Sequence, residues 1–371
     1  MASLVTDRSM RVERAERSRH DWGLLASAAL LILTGLLTIN SVSEGQGANY
    51  ASRQMIFLAL GIPIFYACNR VPLELWRKAA NPLYVINILM LLATRFAGKS
   101  RGVAERWIEI GPLQFQPSEV SKILLAITLA AYYTKRQDEL NKPMVFAGAI
   151  LHALPIIALV FLQPHLGAAI VLLCGGFAAA LYAGVPGRFF AVASAGVVAL
   201  GALVWFTPGL LKDYHRERAA GYVGWIKGTS DVSAEGYHQM QAKVAIGSGG
   251  VLGTGYMRGE QIKTKSVPEQ QNDFIFSAIG EEGGLIGSLL VLGLYGFFFT
   301  RVTMVVYRCK TMMGRVVSGT LFSILALHTI INLAMVLQVG PVIGLWLPFL
   351  SAGGTALWMC MGAVGLIDQC E

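Results

Sequence analysis

The stretch Trp22-Gly-Leu-Leu-Ala-Ser-Ala-Ala-Leu-Leu-Ile-Leu-Thr-Gly-Leu-Leu-Thr-Ile39 carries eighteen residues and no charge. As a helix rising 1.5 Å per residue it is roughly 27 Å long. That is close to the ~30 Å of hydrocarbon in a bilayer. Five arginines precede it: Arg8, Arg11, Arg14, Arg17 and Arg19. The apolar block is long for the core of a secretion signal, and no small-residue cleavage site closes it, so we read it as a retained first helix.

Nine further blocks follow, which makes about ten transmembrane helices: 22–40, 53–69, 82–95, 119–134, 144–161, 167–184, 189–206, 273–299, 316–338 and 353–368. Composition agrees, with 54% hydrophobic and 14% charged residues, against about a quarter charged in a soluble domain. The expectation is an all-α, polytopic membrane protein forming a single domain over 1–371. Lysine and arginine orient it. Alternate helix ends gather the N-terminal arginines, then Arg70, Arg77 and Lys78, then Lys135, Arg136 and Lys142, then Arg188, then Arg301, Arg308, Lys310 and Arg315. Those ends are read as cytoplasmic, with both termini inside, residues 1–21 as a cytoplasmic tail, and the cell inner membrane as the location.

The opposite face holds Arg95, Lys99, Arg101 and Arg106, and a large extracytoplasmic loop over 207–272. That loop contains Lys212, Arg216, Arg218, Lys227, Lys243, Arg258, Lys263 and Lys265, and its net charge is +2. Long loops are exempt from the orientation rule. A mildly basic loop suits lipid headgroups, and its arginines suit phosphate. No nucleic-acid partner is expected. The five cysteines, Cys68, Cys174, Cys309, Cys360 and Cys370, all fall outside this loop, which argues against disulfides.

Five constellations carry candidate chemistry. Arg106-Trp107 precedes Gln116-Pro117-Ser118-Glu119 and Lys122. Pro117 and Ser118 suit a first helical turn, and Glu119 and Lys122 share a helix face. Two ionisable groups inside the membrane boundary either pair structurally or line a polar cavity. Gln163-Pro164-His165-Leu166-Gly167 reads as a tight turn, which needs no function. Lys243-Val-Ala-Ile-Gly247-Ser248-Gly249-Gly250, with Gly253 and Gly255, permits tight turns or close backbone approach to a ligand, and matches no nucleotide-binding fingerprint. Pro268-Glu269-Gln-Gln-Asn-Asp273-Phe274-Ile275-Phe276 runs on to Glu281-Glu282. Asp273 reads either as a helix N-cap or as a carboxylate at the mouth of the membrane, able to act as general base or hold a divalent metal. At least one of Glu281 and Glu282 is expected to face the bundle interior. Gly340-Pro341 to Leu347-Pro348-Phe349-Leu-Ser351-Ala-Gly353-Gly354 is too rich in Pro and Gly for a simple helix. At membrane depth such backbone survives only inside protein or beside a cavity.

In this order and spacing the five blocks resemble the SEDS family (shape, elongation, division and sporulation), from the first helix to the last. The short tails and the context Arg106-Trp-Ile-Glu-Ile-Gly111 look more like the RodA branch, of the elongation machinery, than the FtsW branch, of division. The resemblance implies a peptidoglycan glycosyltransferase that polymerises lipid II during elongation and cell-shape maintenance. It implies a class B penicillin-binding protein as transpeptidase partner, among other membrane proteins of the elongation machinery. The family's essential aspartate falls on Asp273, and its helix-four glutamate and lysine fall on Glu119 and Lys122. Three positions depart from the family pattern: His165 replaces Asp, Ala352 replaces Tyr, and Gly283 replaces Leu.

The expected chemistry has Asp273 take a proton from the acceptor sugar, with Mg²⁺ stabilising the leaving pyrophosphate. Substrate contacts are expected from Arg106, Glu119, Lys122, Lys243, Arg216, Arg218 and Ser351, with Arg106 and Lys122 on phosphate. Broken helices and intramembrane charges suit a flippase of lipid-linked precursors as well, and a scaffold that recruits other wall enzymes is a third reading. A carboxylate in the outer loop favours the enzyme, since a flippase needs no base there.

Overall fold

The computed structural model describes residues 20–97, 99–101, 104–110, 113–163, 165–207 and 234–370. Its elements in chain order are α1 (Trp22–Gln46), α2 (Tyr50–Arg70), α3 (Leu73–Lys78), α4 (Ala80–Ala97), β1 (Lys99–Arg101), β2 (Ala104–Ile110), β3 (Leu113–Phe115), α5 (Pro117–Thr134), α6 (Pro143–Leu162), α7 (Leu166–Ala183), α8 (Gly187–Phe206), α9 (Ala234–Ser248), α10 (Glu260–Lys263), α11 (Ile275–Arg308), α12 (Met312–Val336) and α13 (Gly354–Asp368). Each of the ten apolar segments read from the sequence is helical. Six of those helices (α1, α2, α6, α7, α11 and α12) are long and apolar enough to cross a membrane by length and composition. Their outward faces carry Leu30, Leu33 and Leu37 on α1 and Leu285, Leu289 and Leu290 on α11, all exposed. Contiguous exposed leucines of this kind need lipid rather than water as solvent. The protein is a multi-pass membrane protein.

Local signals set the helix ends. The Asp21 side chain accepts from the Leu24 N–H at 2.8 Å and caps α1. Pro117 occupies the first turn of α5, where its missing N–H is no loss. Thr311 caps α12 by accepting from the Gly314 N–H at 3.1 Å. Inside the bundle α12 packs against α5 and α7, α13 lies along α2, and α11 contacts α1, α9 and α12.

The two ends of the described chain meet. Asp368, at the end of α13, accepts from His20 Nδ1 at 2.7 Å, from the Asp21 N–H at 3.0 Å and from Asn69 Nδ2 at 2.8 Å. Asp21 in turn takes two hydrogen bonds from Arg301 at 2.9 and 2.6 Å. The start of α1 and the end of α13 therefore lie on the same face of the bundle.

The segment after α4 departs from the all-helical expectation. β1, β2 and β3 form a small antiparallel sheet in the order β1-β2-β3. Glu109 between Ile108 and Ile110 has the two-residue alternation of a strand, a signal hidden by the basic residues around it.

Candidate active site

Asp273 sits in the turn just before α11 and is half-buried. The N-cap residue of α11 is Phe274, with no side-chain cap bond, so the N-cap reading of Asp273 is corrected. Three bonds hold the turn from other elements. Asn332 Nδ2 on α12 donates to the Asp273 carbonyl at 2.7 Å. Ser351 Oγ donates to the Asn272 carbonyl at 2.6 Å. The Ala352 N–H donates to the Gln271 carbonyl at 2.8 Å.

The Pro/Gly segment that supplies two of those bonds is non-helical from 341 to 353, as its composition predicts. It has no regular structure over 341–347 and turns at 348–350. Asn332 Nδ2 also donates to the Leu345 carbonyl at 2.6 Å. Ser351 Oγ accepts from the Leu347 N–H at 2.7 Å. Gln54 on α2 accepts from the Gly353 N–H at 3.1 Å, and Tyr295 donates to the Pro348 carbonyl. Gly344 has φ +75°, and a Cβ there would lie 3.5 Å from Asp273 Oδ2. Glycine thus gives the backbone a left-handed turn beside the carboxylate.

Glu119 and Lys122 form the ion pair that their spacing allows. Lys122 Nζ is 2.8 Å from both Glu119 oxygens and 2.9 Å from His328 Nε2. Glu119 is 1% exposed, and Lys122 and His328 are 0% exposed. All three ammonium protons have acceptors, which leaves none for phosphate in this arrangement. The His328 ring stacks on Trp346 with centroids 4.1 Å apart, and Lys122 Nζ lies 4.9 Å from the centre of the Trp346 ring.

The remaining expected residues are more scattered. Arg106 falls on β2, and its side chain lies outside the described residues, as do Arg216 and Arg218 entirely. Lys243 is exposed on α9, beside the buried Ala242 and Ala245. Ser351 is buried, and its hydroxyl both donates and accepts within the protein, so here it shapes the Asp273 turn. His165 is buried between α5 and α7, with Nδ1 3.3 Å from Gln116 Nε2 and 3.4 Å from Ser118 Oγ.

The glycine-rich run is packing. Residues 249–255 lie on the α11 kink at Gly284, where the Thr254 N–H donates to the Glu281 carbonyl at 3.0 Å and the Leu285 N–H to the Gly250 carbonyl at 2.9 Å. Gly284 has φ +62° and ψ −159°, and a Cβ there would collide with the backbone of Gly253 and Val251. Glu281 is fully buried and accepts from the Gln261 N–H at 2.7 Å. Glu282 accepts from Ser41 on α1. Both glutamates hold the loop 257–263 in place.

Among the described residues no group of three or more His, Cys, Asp or Glu is placed to hold a metal ion. One carboxylate shared with substrate phosphates, the usual Mg²⁺ mode, fits Asp273.

Sequence reasoning missed Asn332, His328 and Trp346. The signal was there: His328 and Asn332 are polar, four residues apart and inside an apolar span, where polar groups are costly and mark interior contacts.

These features define a multi-pass membrane protein with a carboxylate in a braced turn before one helix and a sealed ion pair on another. The family model described as "Cell cycle protein", which groups the FtsW, RodA and SpoVE proteins, matches residues 21–371. The chain belongs to this family. It is 33% identical to the peptidoglycan glycosyltransferase MrdB of Escherichia coli K12, over 91% of each chain. It is 30% identical to a probable peptidoglycan glycosyltransferase FtsW of Saccharophagus degradans, over 94% of this chain and 92% of that one. Among solved structures it resembles a chain of a peptidoglycan synthase complex that coordinates polymerization and crosslinking, with TM-score 0.79, 28% identity, and 95% and 97% of the two chains covered. It also resembles the rod shape determining protein RodA of Thermus thermophilus, with TM-score 0.69, 26% identity, and 95% and 96% coverage.

Proposed function

We propose that this protein is a peptidoglycan glycosyltransferase that polymerises lipid II at the outer face of the cell inner membrane during elongation, with both termini cytoplasmic. The observation that carries the reading is the half-buried carboxylate of Asp273, in a turn fixed by backbone bonds from α12 and from 340–354. The relatives' named activity supports it, and the basic helix ends support the orientation.

In this reading the acceptor sugar hydroxyl donates its proton to Asp273 as its oxygen attacks the anomeric carbon of the donor. The carbon–oxygen bond to undecaprenyl pyrophosphate breaks at the same centre. Preorganisation is what the protein supplies: a base carried on a braced turn accelerates the step by proximity. Mg²⁺, held by Asp273 together with the pyrophosphate, would neutralise the leaving group. Arg106, Arg216, Arg218 and Lys243 are the cations assigned to the phosphates. The Glu119–Lys122 pair supports the site from within the bundle.

A class B penicillin-binding protein is the proposed partner, supported by the resemblance to a chain of a synthase complex. The test is polymerisation of labelled lipid II by the purified protein, with a matched flipping assay in liposomes. Glycan strands without flipping support the reading, and flipping without strands replaces it with the flippase.

A further inference from the structure

We infer that His328 is a positioning residue that ties the buried Glu119–Lys122 pair to the Asp273 turn; the inference rests on the proposed activity and extends it. Two of the Lys122 ammonium protons go to Glu119, and the third goes to His328 Nε2 at 2.9 Å. An ammonium only donates, so Nε2 accepts and the ring proton is on Nδ1. That nitrogen lies 3.4 Å from the Trp346 carbonyl oxygen. The same ring stacks on the Trp346 indole at 4.1 Å. One residue thus grips the ion pair with one edge and the segment 341–347 with the other edge and a face.

Trp346 is next to Leu345, whose carbonyl Asn332 holds at 2.6 Å. Asn332 holds the Asp273 carbonyl with the same nitrogen, and Gly344 turns beside the Asp273 carboxylate. His328 and Asn332 are four apart and share a face of α12. The path from Glu119 to Asp273 is therefore continuous: Lys122, His328, Trp346, Leu345, Asn332, Asp273. A histidine that only filled core volume would need neither a bond to the buried ammonium nor a ring stacked on the segment 341–347. Side chains held this way fix the geometry of the group they support rather than the affinity for substrate.

His328→Gln keeps an acceptor for Lys122 and a donor for the Trp346 carbonyl, whereas His328→Leu keeps the bulk and loses both. The test measures kcat and KM for lipid II polymerisation, together with hydrogen exchange, on wild type and both variants. His328→Leu is expected to lower kcat about tenfold or more with KM within about twofold, as misplacement of a catalytic group does. His328→Gln is expected to recover most of the rate. Amides of 343–347 and 269–273 should exchange faster in His328→Leu, while α1, α2 and α13 stay as in wild type. Wild-type kcat and wild-type exchange in His328→Leu overturn the inference, and so does faster exchange spread evenly over the bundle. If His328→Leu does not fold, Trp346→Leu removes the stacked ring while leaving the backbone carbonyl, and it must lower kcat in the same direction with KM within about twofold. If wild type itself makes no glycan, the proposed activity fails, and the exchange pattern alone then decides the tie.

Discussion

Asn332 grips Asp273 by its backbone: the buried amide on α12 donates to the Asp273 carbonyl at 2.7 Å while holding the Leu345 carbonyl at 2.6 Å. Two loops distant in sequence are joined at one nitrogen. Asn332→Leu leaves both carbonyls without that donor inside the protein, at about 1–3 kcal/mol for a buried group left unpaired. The expected outcome is a lower unfolding temperature in detergent and a loss of polymerisation larger than the stability loss explains. Wild-type activity in Asn332→Leu would show that the grip is dispensable.

The Glu119–Lys122 pair is sealed from solvent. Removing either partner strands the other charge in a low-dielectric interior, which costs about 3–5 kcal/mol when a buried pair is broken. Glu119→Gln and Lys122→Met should each destabilise the protein strongly, and the double variant should be less damaged than their sum. Thermal unfolding across the double-mutant cycle checks this, with coupling of about 1 kcal/mol or more expected for groups in contact. Additive losses contradict the pairing.

The bundle and the non-helical segment 341–353 were legible in the sequence for different reasons. Apolar runs such as Trp22–Ile39 have only one stable setting, so each expected span appears as a helix. Pro341 and Pro348 forbade a helix over 341–353 and the backbone obeys. Other features depend on contacts far apart in the chain. Nothing local in Gly249 or Gly253 says that they fit against the kink at Gly284 rather than a phosphate. Ser351 reads as a substrate contact until the fold closes Leu347 and Asn272 around its hydroxyl. His328 and Asn332 were visible only as polar residues in an apolar helix, because their partners come from α5, from 273 and from 345–346.

Adjacent glycines on α11 give a sharp contrast. Gly284 has φ +62° and backbone atoms that a Cβ would collide with, whereas nothing lies within 4 Å of a Cβ on Gly283. Gly284→Ala should cost about 1–3 kcal/mol, the range for a side chain forced into a sparsely populated backbone region, while Gly283→Ala should be close to neutral. Unfolding temperatures of the two variants check this, and equal shifts contradict the packing of 249–255 on the kink.

The kink also narrows where a helix of the proposed partner would pack. Small residues allow close helix approach in lipid, but Gly284 is buried in the kink, and a Cβ on Gly340 would lie 3.3 Å from Ala334 Cβ. Gly287 is partly exposed, with no atom nearer than 4.0 Å to an added Cβ. Gly287→Leu should therefore weaken co-purification with the class B penicillin-binding protein while leaving the unfolding temperature unchanged. Undiminished co-purification moves the interface to another face.

The central claim is that Asp273 is the base of a lipid II polymerase. The most direct measurement is gel analysis of glycan strands made from labelled lipid II by purified wild type and Asp273→Ala, at matched protein level and matched unfolding temperature. The account predicts strands from wild type and none from Asp273→Ala. Strands from Asp273→Ala at a rate near that of wild type would contradict it.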